Sequence, residues 1–268
     1  MSDYLLEVTG LSGAFRSPTG ELTPVLHDVS FDLRAGVTTA IVGETGSGKS
    51  LTALSILGIQ PATFVRSAGR IIFDGQDLLA LDARALRAVR GRRIAMVFQD
   101  ARSALNPVFT VGRQLADVHR LYHGGSRAAA MDAAIDALRR VAIPEPARRA
   151  RQYPHEFSGG MAQRAMIALA ALICRPELLI LDEPTTGLDV TTQAEIMELL
   201  AELARAERLT TCLITHDLGV VAESCDQVVV MNAGRVVETA TTEAIFTSPR
   251  EAYTQRLLAA SQLVEGAA

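Results

Sequence analysis

The sequence predicts an α/β fold: a parallel-stranded core that carries a glycine-rich loop, some antiparallel β structure, and an inserted helical subdomain. Three observations predict it. A glycine-rich loop stands between a short β-favouring run, residues 38–42, and an apolar helical run, residues 51–57. Leu178-Leu179-Ile180-Leu181 is an unbroken apolar run that ends in Asp182-Glu183, which suits a strand buried on both faces of a parallel sheet. Residues 111–151 hold no strand-like run, and their apolar residues recur at helical spacing.

The elements follow in chain order. Residues 38–42 form a strand and residues 51–57 a helix stopped by Gly58. In the middle, Met131, Ile135, Leu138 and Ala142 mark one face of a helix behind Ser126 as its cap. The arginines there (Arg139, Arg140, Arg148, Arg149, Arg151) read as a solvated face, or as the seat of an acidic loop. The 178–181 strand is bounded by Pro176. A second strand, residues 211–215, ends at His216-Asp217, with Asp217 as N-cap of a helix over 218–222. Residues 226–231 and 235–238 flank Ala233-Gly234 as a hairpin, and a short tail with one or two helices follows.

Composition removes several functions. With 268 residues, 49% apolar and 21% charged, the chain has material for a full core and no signature of disorder. A net charge of −4, 4% aromatics and no tryptophan argue against nucleic acid as the partner. The N-terminus shows no secretory pattern, and no apolar run approaches the ~18 residues of a spanning helix. Cys174, Cys212 and Cys225 lack metal or redox spacing, and read as buried thiols of a reducing compartment.

Of the 26 basic residues only Lys49 is a lysine. It lies in Gly43-Glu44-Thr45-Gly46-Ser47-Gly48-Lys49-Ser50, which fits the phosphate-loop pattern at every fixed position and has a strand before it and a helix after it. There the glycines let backbone N–H groups turn inward, and the helix adds its positive dipole end. Lys49 would reach the outer phosphates and Ser50 would ligate Mg²⁺; a glycine-rich turn with a solvent lysine is the alternative. A compact ammonium at that point is not interchangeable with a planar guanidinium. Asp182 and Glu183 close a strand where α/β sheets bind ligands. Asp182 can hold Mg²⁺ and Glu183 can deprotonate a water, although adjacent acids also suit the cap of a following helix. His216, at the end of another strand, can donate to a γ-phosphate. Phe157-Ser158-Gly159-Gly160-Met161-Ala162-Gln163 opens a helix whose N-terminus suits an anion, or simply a structural cap.

In this order the motifs resemble those of the ATP-binding cassette (ABC) ATPases, and the resemblance covers nearly the whole chain. Ser158, Gly159 and Gly160 match the signature, Gln99 the glutamine loop, Asp189 the loop after the Asp-Glu strand, and His216 the switch histidine. The resemblance implies a P-loop NTPase (RecA-like) fold in a single domain over residues 1–268. Residues 1–105 and 165–240 would form the core, 106–164 the helical subdomain, and 241–268 the tail. It implies ATP and Mg²⁺ as cofactors, with Gly43, Glu44, Thr45, Gly46, Ser47, Gly48, Lys49 and Ser50 on the phosphates. Ser50, Gln99 and Asp182 would serve the metal, Glu183 would be the general base, Ser158, Gly159 and Gly160 would face a partner's ATP, and Asp189 would be a further cofactor-binding residue. Phe15, in the loop after the first strand, would stack on adenine unless it is a core residue.

The stretches 99–107, 153–157 and 215–221, and the tail residues 245–249 with Tyr253-Thr254, are similar to the peptide and nickel importer branch. Met161 departs from the glutamine common in the signature. The absence of a further C-terminal region resembles nickel and metallophore import ATPases as much as peptide ones. The resemblance implies an ATPase at the cytoplasmic face of the inner membrane, paired head-to-tail with a second, different ATPase subunit. Two transmembrane permease subunits would carry the pair, with an extracytoplasmic solute-binding protein as an indirect partner. A cassette ATPase of a soluble enzyme assembly, such as one for phosphonate breakdown, is the alternative.

Overall fold

A computed structural model of the chain describes residues 4–265. They form two compact units, one from residues 4–87 with 210–265 and the other from residues 88–209. The expected subdomain, residues 106–164, lies wholly within the second, which also holds two strands.

The first unit contains an antiparallel sheet of β1 (Tyr4–Arg16), β2 (Leu22–Arg34), β4 (Phe64–Phe73) and the short β5 (Gln76–Asp77), in the order β2-β1-β4-β5. Burial in β1 alternates in two stretches, Leu6 and Val8 and then Leu11 and Gly13, the period-2 signature of a sheet with one covered face, with the phase shifted by one residue at the register irregularity between Val8 and Leu11. A second set centres on β3 (Thr38–Val42), which has a parallel neighbour on each side: β8 (Thr210–Ile214) and β9 (Gln227–Asn232). The strand β10 (Arg235–Thr241) closes the expected hairpin antiparallel to β9. Its turn places Ala233 and Gly234 at φ 45° and 76°, a geometry in which glycine carries no steric cost. Helix α1 (Lys49–Leu57) leaves the loop after β3 and stops at Gly58, whose left-handed backbone turns its N–H back onto Leu54 and Ser55 carbonyls. The unit also holds α2 (Ala83–Val89), on which the boundary falls, α9 (Leu218–Ser224), α10 (Thr242–Thr247) and α11 (Ala252–Glu265). Asp217 caps α9 by accepting the Val220 N–H, as the sequence predicts. Far from trailing off, the tail helices are built into a core. Ile245, Tyr253 and Leu258 pack with Ala40 and Val42 of β3, Val228 and Val230 of β9, and Leu218 and Val221 of α9.

The second unit holds β6 (Ile94–Val97) and β7 (Leu178–Asp182), paired in parallel with Val97 opposite Leu181. Every residue of both strands is buried, as their unbroken apolar runs require. Around them run α3 (Ala101–Ala104), α4 (Val111–His123), α5 (Arg127–Arg140), α6 (Pro146–Arg149), α7 (Gly159–Ile167) and α8 (Val190–Glu207). After α7 the same apolar run widens into a π-helical segment, Ala168–Ile173. Ser126 caps α5 as expected, but the buried face is displaced from the predicted one. Ala130, Ala134, Ala137 and Leu138 are inside, whereas Met131 and Ile135 are only half-buried and Ala142 lies beyond the helix at φ 56°. The larger apolar residues misled the pattern because alanine, with no side chain beyond Cβ, allows close helix approach on the face it occupies. The arginines of this region are mostly exposed and paired locally, Arg139 with Asp136 and Arg148 with Glu145, so the solvated-face reading stands.

All three cysteines are free thiols; Cys174 and Cys212 are buried as expected, whereas Cys225 is half-buried. Burial pushes the Cys174 thiol up to about 12, and burial with the neighbouring Asp226 charge does the same for Cys225. Among the described residues no helix is long and apolar enough to cross a membrane.

Candidate functional site

The loop after β3 is shaped by three glycines with positive φ: Gly43 at 147°, Gly46 at 85° and Gly48 at 98°. Two are also short of space. A Cβ on Gly43 would lie 2.0 Å from the Met231 carbonyl oxygen, and one on Gly48 would lie 2.7 Å from Leu26 Cδ2. The loop therefore sits directly on the β9–β10 hairpin, and the Gly234 N–H donates to the Ser47 carbonyl at 3.1 Å. Helix α1 starts with Gly48 as its cap, with no side-chain cap and no acidic residue in its first turn. The positive end of its dipole is not offset by a carboxylate of its own first turn, as an anion site requires.

Lys49 is 6% exposed, which excludes the solvent-lysine alternative. Its ammonium donates to the carbonyls of Gly43 at 2.7 Å and Glu44 at 3.0 Å, so the charge lies against the loop itself. Ser47 is buried, whereas Glu44, Thr45, Gly46 and Ser50 are exposed. In the same unit His216 is exposed at the end of β8, one residue past the buried Thr215. Phe15 is not in a loop, as the sequence reading has it. The strand β1 runs on to Arg16, and Phe15 meets Phe64 edge-to-face with ring centroids 5.8 Å apart. The pairing of β1 with both β2 and β4 prolongs the strand past its apolar core.

In the second unit, the parallel register of β6 and β7 carries Gln99 and Glu183, each two residues past the Val97–Leu181 pair, to the same sheet edge. There Gln99 Nε2 donates to Glu183 Oε2 at 3.1 Å, and Thr186 Oγ1 donates to the same oxygen at 2.8 Å. Two donors converging on one oxygen fix the carboxylate's plane. Glu183 itself has φ 47°, a left-handed backbone that only a tight turn imposes on a side-chain-bearing residue. Asp182, the last residue of β7, is 8% exposed. Neither acid caps the next helix, because α8 is capped by Asp189; the structural alternative for the pair is thereby removed. Among the described residues no cluster of three or more His, Cys, Asp or Glu could hold a metal alone. Within this unit the amide oxygen of Gln99 and the carboxylate of Asp182 are donors of the hard, oxygen type that Mg²⁺ takes, in the small number it requires of a protein.

The predicted signature stands at the start of α7. Ser158 is the N-cap, its hydroxyl accepting the Met161 N–H at 3.2 Å. Gly159 and Gly160 follow because α8 and the turn before it press on them. A Cβ on Gly160 would lie 2.7 Å from Thr192 Cγ2, and one on Gly159 would lie 3.2 Å from Leu188 Cδ2. Asp189 accepts from the Thr192 N–H at 3.0 Å and the Thr192 hydroxyl at 2.7 Å, and these bonds hold its carboxyl below the usual carboxylate range. The result is a concavity of about 620 Å³ lined by Ser158, Gly159, Gly160, Arg164, Asp189 and Glu195. Arg164 braces its wall, donating to the Val141 carbonyl at 3.0 Å and to Glu195 at 2.7 Å.

Three contributors escape the sequence reading. Thr186 and Arg164 carry no motif weight beyond their place near one. Tyr253 on α11 accepts the Glu44 N–H at 3.1 Å, a contact across 209 positions that no local spacing signals.

A family model described as "ABC transporter" matches residues 26–186. The oligopeptide transport ATP-binding protein OppD of Salmonella typhimurium is 49% identical over 257 residues, covering 96% of this chain and 76% of its own length. The peptidoglycan transport ATP-binding protein YejF of Agrobacterium fabrum is also 49% identical over 257 residues, covering 96% of this chain; the chain spans 47% of that relative. Among solved structures, a dimeric ATP-binding cassette in a post-hydrolysis state, bound to ADP and Pi, superimposes with a TM-score of 0.78. It is 26% identical and covers 88% of this chain and 98% of its own.

Proposed function

The chain belongs to the ABC transporter family as an ATP-hydrolysing cassette, and from that premise we propose that it energises the import of peptides or a related small solute across a membrane. The observation that carries this reading is the likeness to a peptide-transport ATPase at 49% identity over 96% of this chain and 76% of that relative, rather than to the generic cassette alone. The chain has one phosphate loop and one signature segment. On this reading it works head-to-tail with a second cassette, each ATP lying between one subunit's loop and the other's signature.

Residues 43–50 cradle the phosphates through backbone N–H groups, and Lys49 turns from the loop carbonyls to the anion it prefers. The oxygens of Ser50, Gln99 and Asp182 are the donors for Mg²⁺, which when bound neutralises phosphate charge. Glu183, oriented by Gln99 and Thr186, takes a proton from the attacking water, a contribution of about 10²–10⁴-fold. His216 contacts the γ-phosphate, and Ser158, Gly159, Gly160 and Asp189 meet the nucleotide held by the partner subunit. Phe15 is the adenine-stacking residue of this reading, from a strand position rather than a loop. A membrane permease pair receives the motion, a solute-binding protein delivers the cargo outside, and this subunit sits peripherally on the cytoplasmic face. The core and helical-subdomain division at about residues 105 and 165 belongs to the same proposal.

The test is to express tagged Glu183→Gln in its native host, trap the ATP-bound state, solubilise gently and identify what co-purifies. A permease pair with a second cassette ATPase is the expected result. A soluble enzyme complex with no membrane protein overturns the import reading and leaves the ATPase intact.

A further inference from the structure

We propose that Tyr253, on the tail helix α11, is a positioning residue for the phosphate loop. It is 9% exposed and packs in one cluster with Ala40 and Val42 of β3, the strand that feeds the loop. Its Oη accepts the Glu44 N–H, the first backbone donor after Gly43. Three residues on, the Ser47 carbonyl is held by the Gly234 N–H of the β9–β10 turn. The loop's backbone is thus pinned at two points, both supplied by the C-terminal part of the chain.

The tyrosine is itself held in place. Glu238 of β10, also 9% exposed, accepts the N–H of Arg250 through Oε1 at 2.8 Å and that of Glu251 through Oε2 at 3.1 Å. A carboxylate therefore fixes the approach to α11 two residues before Tyr253. The line of force runs from Glu238 to the start of α11, through the tyrosine hydroxyl, and into the loop. Glu44 contributes only its backbone to this, since its side chain is exposed.

The consequence is preorganisation. A loop that must present several N–H groups to one anion binds more tightly when its shape exists beforehand, because less ordering is charged against the contact. Tyr253 spends one hydrogen bond on the loop's shape, not on the ligand. Removing the hydroxyl leaves the Glu44 N–H without its protein acceptor and releases one of the two pins. A net hydrogen bond of ordinary strength corresponds to about a five-fold change in an equilibrium. The effect falls on ATP affinity, and turnover at saturating ATP is spared because Tyr253 touches no reacting atom.

The inference rests on residues 43–50 being the nucleotide loop, so the experiment separates the two. ATP is titrated calorimetrically into the full chain carrying Glu183→Gln, alone and with Tyr253→Phe, Leu258→Ala or Lys49→Ala added. Phosphate release is followed in chains with the glutamate intact. Tyr253→Phe keeps the ring, and is expected to weaken ATP binding and raise KM about five-fold, with kcat within two-fold and the nucleotide-free melting temperature within about 2 °C. Leu258→Ala, a truncation in the same cluster, is expected to lower the melting temperature and leave ATP affinity unchanged. Unaltered affinity and KM in Tyr253→Phe, beside a clear loss in Lys49→Ala, overturn the positioning role alone. So does an affinity loss in Leu258→Ala equal to that in Tyr253→Phe, since the effect would then be general loosening. Unaltered binding in Lys49→Ala overturns the loop reading and this inference with it.

Discussion

Glu183→Gln separates binding from chemistry, because the structure shows what the substitution keeps. Gln99 Nε2 and Thr186 Oγ1 both donate to Glu183 Oε2, at 3.1 and 2.8 Å. A glutamine at this position can offer its amide oxygen to both donors, so the pair of hydrogen bonds survives and only the other terminal atom changes, from oxygen to NH₂. The residue keeps its length and its left-handed backbone, so stability is expected to move by less than about 1 kcal/mol. On the proposed assignment, the lost atom is the base. General-base catalysis worth about 10²–10⁴-fold corresponds to about 2.7–5.4 kcal/mol on the barrier. Phosphate release in a single turnover should fall by that factor, while calorimetric ATP binding and the melting temperature stay near those of the unsubstituted chain. Hydrolysis within ten-fold of the parent, in protein that melts normally, would refute the assignment of Glu183 as base. Loss of ATP binding at an unchanged melting temperature would refute the argument that the substitution preserves the site.

Two further substitutions probe the scaffold beneath the site. Gly43→Ala puts a Cβ 2.0 Å from the Met231 carbonyl at φ 147°, so about 2 kcal/mol or more of stability should disappear in denaturant titration, together with ATP binding. Glu238→Gln should matter at neutral pH and cease to matter in acid. Burial pushes this carboxyl up, but hydrogen bonds, those from the Arg250 and Glu251 N–H groups among them, outweigh it and hold the group below its ordinary value of 4.5. A depressed folded-state value means that the carboxylate stabilises the fold above the unfolded value and stops doing so as pH falls through the folded one. The melting-temperature gap between parent and variant should therefore be open at pH 7 and close as the pH falls below the ordinary carboxylate range; a gap that widened in acid would contradict the sign.

Much of this was legible in the chain because the relevant physics is local. The strand before Gly43, the helix stopped by Gly58, the buried run into Asp182 and the caps at Ser126, Ser158 and Asp217 all follow from neighbours within a few residues. The meeting of Gln99 and Glu183 was half legible. Glu183 reads as lying at a strand end and Gln99 as the glutamine loop, and only the register of β6 against β7 makes them partners. Phe15 was misplaced because strand length depends on what lies alongside, and β2 and β4 hold β1 in an extended form well past its core residues. The buried face of α5 escapes the apolar pattern because the pattern weights large side chains, and the buried positions there are mostly alanine. Tyr253 was seen as part of a tail pattern, yet its contact with Glu44 joins opposite ends of the chain, and no periodicity encodes that.

The stripe of Ala130, Ala134 and Ala137 on α5 has a consequence for how this protein yields to dissection. A survey that replaces residues by alanine will pass over that face in silence, since nothing there remains to cut away. Enlargement is the informative direction: a valine or leucine at Ala134 must drive the helix off its neighbours, at about 1–3 kcal/mol for each misfit. The region that reads as dispensable in a truncation map is the one that tolerates least when volume is added.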